Sequence, residues 1–385
     1  MKKIKIFFIM PTLVGGGAEK ALMNVLALLD KKHYDLTVCS VLNKGVYVHL
    51  LPPHVRFIYL IKHEILFKIL FKAHQKFNFL LPVNLLLRRK LKGLFFDYGI
   101  CFLDGITTEL LHSGNYFSKK FTWVHSCYRS YINFSQFYSS LSYVNRLVRH
   151  RYKELDGIVF VSHDSKKEFV EIFGLFPNMP VIYNPILSDN ILTLSNFPVE
   201  MEKICENRYV FISIGSLIPV KNHDLLIDAA KKLLDLNPNF AILILGTGFL
   251  EAKLKSKVRD YNLENHVYFV GFTENPYKYI RMANSFVMTS KSEALPTAML
   301  EAMILGKPII TTNVSGSREV VEFGKYGILS EENSHHLASL MSNFIFSDEL
   351  NSLYESKSLL RSKDFSDDSF LHAFNGLIIH ENSSN

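Results

Sequence analysis

Cysteine is scarce in this 385-residue chain: Cys39, Cys101, Cys127 and Cys205 are scattered, with no CxxC pair and no histidine cluster beside them. That spacing argues against a zinc site and against a secreted disulfide framework, and a reducing cytosol is its natural compartment. Thirteen prolines and nineteen glycines are dispersed rather than gathered in tracts, which excludes collagen-like and low-complexity architecture. No apolar stretch reaches the ~18–20 residues that a bilayer-spanning helix requires. The opening MKKIKIFFIMP resembles a signal peptide only in outline: its short apolar run ends at Pro11, with no small-residue cleavage site before Gly15. It reads as a buried first strand. GxGxxG is missing from both halves, no glycine loop ends in GK[ST], and no Asp-x-Asp pair is present. NAD, ATP and a carboxylate-held metal therefore lack their usual marks.

What the chain does have is apolar mass. Hydrophobic residues make up 48% and charged residues 21%, enough to fill two ordinary cores, and the length fits two domains of roughly 150–200 residues. Its charge is unevenly placed. Residues 1–190 carry 25 Lys+Arg against 13 Asp+Glu, whereas 191–385 carry 18 against 23. A basic half suits nucleic acid or anionic lipid, and residues 61–92 favour lipid. Lys62, Lys68, Lys72, Lys76, Arg88, Arg89, Lys90 and Lys92 are interleaved there with Phe67, Leu70, Phe71, Phe77, Phe79 and a run of leucines, with Glu64 the one acid. Such a surface can enter a headgroup layer while its cations meet anionic lipid. The same pattern also describes a helical hairpin whose apolar residues face the core. No RNA-binding or helix-turn-helix signature accompanies the charge, so nucleic acid is not an expected partner.

Elsewhere short apolar runs alternate with helical periods, the pattern of parallel α/β units. Strands are expected near Lys5–Met10, Leu36–Val41, Arg56–Leu60, Tyr98–Leu103, Phe121–Val124, Gly157–Val161 and Val181–Tyr183. After a less patterned stretch they resume near Val210–Ile214, Ala241–Leu245, Val267–Val270, Ser285–Thr289 and Pro308–Thr311. The expected organisation is α/β: two Rossmann-like, doubly wound domains facing each other across a cleft. Residues 1–187 form the first, 188–206 a linker, and 207–385 the second, whose terminal helices after about Ser334 cover its outside. Ligands in such sheets bind beyond the carboxyl ends of the strands.

The polar candidates fall just after predicted strands. Gly15-Gly16-Gly17-Ala18-Glu19-Lys20 opens a helix, and it reads equally as an anion cradle or as a tight turn. His125, at the end of Trp123-Val124-His125-Ser126, is either a satisfied core histidine or a ligand contact. Gly215-Ser216 leads through Pro219 to Lys221, which is either a counter-charge for a diphosphate or an exposed lysine. Gly246-Thr247-Gly248 is a turn that lets a ligand or another backbone approach. The densest segment runs from Ser290 to Met303. Glu293 lies in its loop, Pro296 stands at a natural first helical position, and the N–H groups of the first helical turn around Leu295–Thr297 mark a helix start able to hold a phosphate. Glu301 falls within an otherwise apolar helix. An ionised carboxylate there needs donors, which sugar hydroxyls or a local protein network would supply.

This ordered set resembles the retaining, nucleotide-sugar-dependent glycosyltransferases of family 4, which have the GT-B architecture, and in particular those of bacterial capsule or O-antigen assembly. The resemblance spans nearly the whole chain and is most specific over residues 209–329. Two glutamates with seven residues between them, Glu293 and Glu301, are that family's signature. The GxLxxxKN turn at Gly215, the Gly246 turn, Gly271, Gly306-Lys307-Pro308 and Ser315-Gly316 follow in the expected order.

The resemblance implies roles. Glu301 would bind the donor ribose and Glu293 would lie near the transferred sugar. Lys221 would neutralise the leaving diphosphate, and His125 would touch the sugar near its O6. Gly16 and Gly17 would line the phosphate and acceptor side, while Val270 and Gly271 would meet the nucleobase. Gly215, Ser216, Gly246 and Leu295–Thr297 complete the donor site. The implied enzyme moves a hexose or N-acetylhexosamine, with retention and without metal or other cofactor, from a nucleotide-sugar, UDP ahead of GDP. Its expected acceptor is a lipid-linked saccharide or other oligosaccharide, met at the inner face of the cytoplasmic membrane. Two departures blur the donor: Ser216 stands where the family often has Arg, and Ala294 stands where glycine is usual. The rival readings are a sugar-nucleotide epimerase of the same architecture, an NAD-dependent oxidoreductase and a non-catalytic relative. The glutamate pair argues against the first, the missing GxGxxG against the second, and the joint presence of Lys221, Glu293 and Glu301 against the third.

Overall fold

The computed structural model describes residues 2–77, 80–128, 145, 146, 148–199, 201 and 205–379. Within them the chain divides into two compact units. One holds the chain up to Pro185 together with residues from Leu371 onward, and the other is Ile186–Phe370.

The first unit contains β1 (Ile4–Met10), α1 (Gly17–Leu28), β2 (Tyr34–Leu42), β3 (Arg56–Ile61), α2 (Glu64–Phe77), α3 (Leu81–Leu91), β4 (Phe96–Cys101), α4 (Ile106–Leu110), β5 (Phe117–Val124), β6 (Gly157–Phe160) and α5 (His163–Phe173). Its six strands pair in the order β3-β2-β1-β4-β5-β6, all parallel. The apolar start of the chain becomes a strand with neighbours on both sides, and Ile6 to Met10 are wholly buried, as a parallel sheet covered on both faces requires. The expected strand at Val181–Tyr183 shrinks to one parallel bridge between Val181 and Phe160. Pro180 and Pro185 bracket it, and proline has no N–H to extend a ladder.

Along the second unit run α6 (Ser188–Ser195), β7 (Tyr209–Ile214), α7 (His223–Leu236), β8 (Phe240–Leu245), α8 (Glu251–Asp260), β9 (Val267–Gly271), α9 (Tyr277–Met282), β10 (Ser285–Met288), α10 (Thr297–Ile304), β11 (Ile309–Thr312), α11 (Ser317–Val320), β12 (Ile328–Ser330), α12 (Ser334–Phe346) and α13 (Asp348–Ser362). The closing helix α14 (Asp367–Ile379) starts in this unit and ends in the first. The second sheet is ordered β12-β11-β10-β7-β8-β9, again parallel. Numbered within each unit, both sheets follow the same doubly wound plan. Helix α7 shows how its helices form: Leu225, Leu226, Ala229, Ala230 and Leu233 recur at helical spacing and are buried in the core.

Three expectations need correcting. Residues 188–206 are not a bare linker, since α6 fills Ser188–Ser195 and is tied into the second unit by Asn275 Nδ2 donating to the Leu194 carbonyl at 2.9 Å. Its eight residues are too short to display a hydrophobic period. The terminal helices do more than cover an outside. Leu337, Ala338, Met341 and Phe344 of α12 belong to the second core. Helix α14 returns to the first unit, where Tyr34 Oη donates to Asn375 Oδ1 at 2.6 Å and the Phe374 ring lies 6.2 Å from that of Trp123. Strand β12 was not anticipated, because three residues, Ile328 and Leu329 half-buried and Ser330 buried, are too few to carry an alternation.

The basic stretch 61–92 is in fact a helical pair. Phe67 and Leu70 of α2, with Val83, Leu87 and Leu91 of α3, pack on the first core. Ile65, Leu66, Ile69, Leu81 and Leu85 remain exposed. Lys62, Lys72, Arg89, Lys90 and Lys92 are exposed too. Lys68 instead pairs with Glu64 at 2.9 Å, as does Lys44 at 2.8 Å. Phe79 and the side chains of Lys76 and Phe77 lie outside the described residues.

Candidate active site

The second unit gathers most of the predicted residues at the carboxyl end of its sheet, around β7 and β10, the pair where strand order reverses. After β7 the chain turns at Gly215, passes Ser216, and makes a short 3-10 turn, Pro219–Lys221, before α7. A Cβ on Gly215 would meet the Lys221 stem at 3.3 Å, so the glycine lets the lysine fold across the strand end. Gly246, which follows β8, has φ +132°, and a Cβ there would fall 2.1 Å from the Gly215 carbonyl oxygen. Only glycine tolerates both that conformation and that approach. Its N–H donates to the Gly271 carbonyl at 2.8 Å, which joins the ends of β8 and β9.

Lys221 meets Glu293 directly. Lys221 Nζ donates to Glu293 Oε1 at 2.6 Å, and Ser290 Oγ donates to the same oxygen at 2.6 Å. The loop carrying Glu293 is fixed from several sides. Lys291 N donates to the Val220 carbonyl at 2.8 Å, Thr289 Oγ1 to the Lys221 carbonyl at 3.1 Å, and Thr312 Oγ1 to the Ser290 carbonyl at 2.5 Å. Gly316, at φ +72°, sits so close that a Cβ would lie 2.5 Å from the Glu293 carbonyl oxygen. Side-chain exposures of 26% for Lys221 and 11% for Glu293 leave the cation the more accessible partner. This is a charge-assisted bond in a half-dry site, the kind that a phosphate oxygen can share with or take from the carboxylate.

After the Glu293 loop, Leu295 and Pro296 are buried and α10 begins at Thr297. Pro296 is the residue before the helix rather than its first, a shift of one position. Glu301 is 4% exposed on the same helix, among Met299, Leu300, Ala302 and Met303. Val270 and Gly271 end β9, half-buried, with Phe272 exposed beside them.

In the first unit the residues are arranged differently. Gly16 and Gly17 are exposed at the start of α1. Glu19 folds back over them: its Oε2 would lie 2.5 Å from a Cβ on Gly16, and its carboxylate accepts from the backbone N–H groups of Glu19 and Gly16. Burial raises the Glu19 pKa and those two bonds work against the rise. The chain's own carboxylate thus sits where the glycine loop offers its amides. Spacing alone carried the signal, since a Glu three residues past a helix start is half of a capping box.

His125 follows β5 with its ring 5.0 Å from that of Phe102. Burial lowers its pKa to about 3, so the imidazole is neutral at ordinary pH. Its Nδ1 lies 3.5 Å from Asn184 Nδ2, and its Nε2 is buried without a partner among the described residues. Near the end of β4, Asp104 accepts from Thr108 Oγ1 and Tyr152 Oη, each at 2.9 Å, and from Tyr128 Oη. Glu19 and Ser290 stand inside motifs read from the sequence but were given no role there, and Asp104 and Asn184 were missed altogether.

Residues 199–357, within the second unit, match the family Glycosyl transferases group 1. The chain is 32% identical over 251 residues, 56% of its own length, to an uncharacterized glycosyltransferase of Methanocaldococcus jannaschii. It is 29% identical over 228 residues, 58% of its length, to a Campylobacter jejuni enzyme named N-acetylgalactosamine-N,N'-diacetylbacillosaminyl-diphospho-undecaprenol 4-alpha-N-acetylgalactosaminyltransferase. The matches span 62% and 60% of those two relatives' lengths. In fold the chain is similar to Anabaena HepE, solved in complex with UDP and glucose, with TM-score 0.77 at 20% identity over 99% of this chain and 100% of that one. That likeness assigns the fold: two six-stranded, parallel, Rossmann-like domains of the GT-B kind.

Proposed function

We propose that this chain is a retaining glycosyltransferase that moves a hexose or N-acetylhexosamine from a nucleotide-sugar, UDP-linked ahead of GDP-linked, to a saccharide acceptor. The observation that carries the reading is the Lys221–Glu293 pair, at 2.6 Å, on a glycine-lined turn at the switch point of the second sheet. A cation held there by one carboxylate and backed by close-packed backbone is positioned to take the charge of a departing diphosphate. Glu301, buried one helical turn beyond that loop, supplies the acceptor atoms that a ribose diol needs. Support for UDP comes from the nucleotide bound by the HepE structure.

In this reading the bond from the anomeric carbon to the phosphate oxygen breaks as the bond to the acceptor oxygen forms on the same face. The acceptor proton passes to the leaving phosphate. Lys221 stabilises the charge that develops, the amides around Leu295–Thr297 add to it, and positioning supplies much of the rest. The chain's own cations do this work without a metal.

A lipid-linked acceptor, as in bacterial surface-glycan assembly, fits the exposed face of α2 and α3. Ile65, Ile69, Leu81 and Leu85 stand there beside Lys62, Lys72, Arg89 and Lys92, a combination that binds anionic bilayers peripherally. The name of the Campylobacter relative, which ends on a diphospho-undecaprenol substrate, supports the same class.

Acceptor-dependent release of a nucleoside diphosphate from a nucleotide-sugar tests the transferase reading. An isomerised nucleotide-sugar formed without acceptor, with the sugar–phosphate bond kept and no nucleoside diphosphate released, would favour an epimerase instead. Vesicles with and without phosphatidylserine test the membrane reading. Replacing Arg89, Lys90 and Lys92 by Glu should cost about 1 kcal/mol of binding per cation removed, and unchanged binding would remove it.

A further inference from the structure

We propose that Asn184 fixes the imidazole of His125 in the tautomer with its proton on Nε2, so that the ring offers one N–H donor to a ligand oxygen. That this oxygen is a sugar hydroxyl rests on the function proposed above; the placement of the proton does not.

The pair is built by two neighbouring strands. His125 follows β5, and Asn184 follows the bridge that Val181 makes with the last residue of β6; Val124 and Phe160 are register partners across β5 and β6. Asn184 is 3% exposed. Its segment is pinned to α1, because Asn24 Nδ2 donates to the carbonyl of the adjoining Pro185 at 2.9 Å. The Phe102 ring, 5.0 Å away, packs against the imidazole and limits its rotation.

A neutral imidazole has one donor and one acceptor nitrogen. Among the described residues the hydrogen-bond neighbour of His125 Nδ1 is the amide nitrogen of Asn184, at 3.5 Å, and an amide nitrogen only donates. Nδ1 must then accept, and the ring proton goes to Nε2. That nitrogen is out of water and has no acceptor among the described residues, a costly state for an N–H. In proteins such a ring is usually settled by its own N–H donating to a backbone carbonyl or a carboxylate. Here the amide N–H of Asn184, the hydrogen-bond neighbour among the described residues, turns the ring's donor away from itself. Asn184 is therefore a positioning residue, acting through His125.

The test is long-range proton–nitrogen NMR on the full chain labelled with ¹⁵N-histidine, with the His125 signals assigned from their loss in His125→Gln. The proposal expects an unprotonated Nδ1 and a protonated Nε2 in the wild type. Asn184→Asp replaces the donor by a carboxylate that only accepts, so it should move the proton to Nδ1. In that variant kcat for sugar transfer should fall by about tenfold or more, the loss of one hydrogen bond, while the affinity for the nucleoside diphosphate alone stays unchanged. A wild-type ring protonated on Nδ1 overturns the proposal, and this spectrum decides even if the Asp variant does not fold. So does an Asp variant with the tautomer unmoved. The expected tautomer in a chain that transfers no sugar would uphold this inference and remove the transferase reading alone.

Discussion

The two units share one strand order yet treat the ligand edge of their sheets in opposite ways. In the second unit, the turn after β7 ends in a cation held by a carboxylate, Lys221 to Glu293, with the lysine the more exposed partner. In the first, the polar groups are turned inward. Glu19 covers the amides of its own helix start, Asp104 is ringed by hydroxyls, and His125 is buried and uncharged. Overall charge runs the other way, with the basic excess in the first half and the acidic excess in the second. A shared scaffold therefore says little about chemistry. The loops decide it, and net charge describes a surface rather than a site.

Lys221→Ala should break the comparison most. It removes the cation proposed to meet the leaving diphosphate and should lower kcat by about 10²–10³-fold, while His125→Ala, which removes one neutral donor, should cost about tenfold. Equal losses in steady-state assays of the two variants would mean that the units share the charge stabilisation.

Acid stability should separate the units next. Burial lowers His125 to about 3; in the second unit it lowers His223 to about 4, helped by the Lys221 charge. For both, the unfolded state binds the proton first. Their stabilising contribution is therefore whole above the unfolded value near 6.5 and is lost as pH falls toward the folded values. His125→Gln should flatten the slope of unfolding free energy between pH about 6.5 and 4 by up to about 1.4 kcal/mol per pH unit, measured by urea titration. An unchanged slope would show that His125 is open to water.

The smallest effect has the opposite sign. Asp367, at the start of α14, is raised to about 6 by burial and by the charges of Asp189 and Asp368. A raised carboxyl contributes stability below its unfolded value near 3.9 that is lost as pH climbs through the folded value. Asp367→Asn should thus raise stability on the order of 1 kcal/mol at pH 7.5, with the gain fading toward pH 4. No gain at pH 7.5 would mean that the carboxylate is solvated there.

The sequence marked the strands and the polar residues that gather after β7 and β10 because both are local signals. Buried parallel strands are apolar runs, and Lys221, Glu293 and Glu301 sit at fixed offsets from strand ends. It failed where meaning comes from distant partners. Asn184 looks like a turn residue until it is seen beside His125, 59 positions away. Ser290 gains significance only from the carboxylate it shares with Lys221. Helix α14 carries no mark that its far end belongs with Tyr34 and Trp123, since an amphipathic helix does not say which core it will cover. The exposed face of α2 and α3 was legible in composition, whereas its division into core-facing and outward residues was not.

The central claim is that the second unit binds a nucleoside diphosphate with its ribose at Glu301. Thermal unfolding of the purified chain with UDP, GDP, ADP, CMP and NAD, alongside Glu301→Ala, tests it most directly. The account predicts a rise in Tm with one nucleoside diphosphate, UDP first, that grows with ligand concentration and is lost in the variant. No rise with any diphosphate, or a rise with NAD alone, would contradict it.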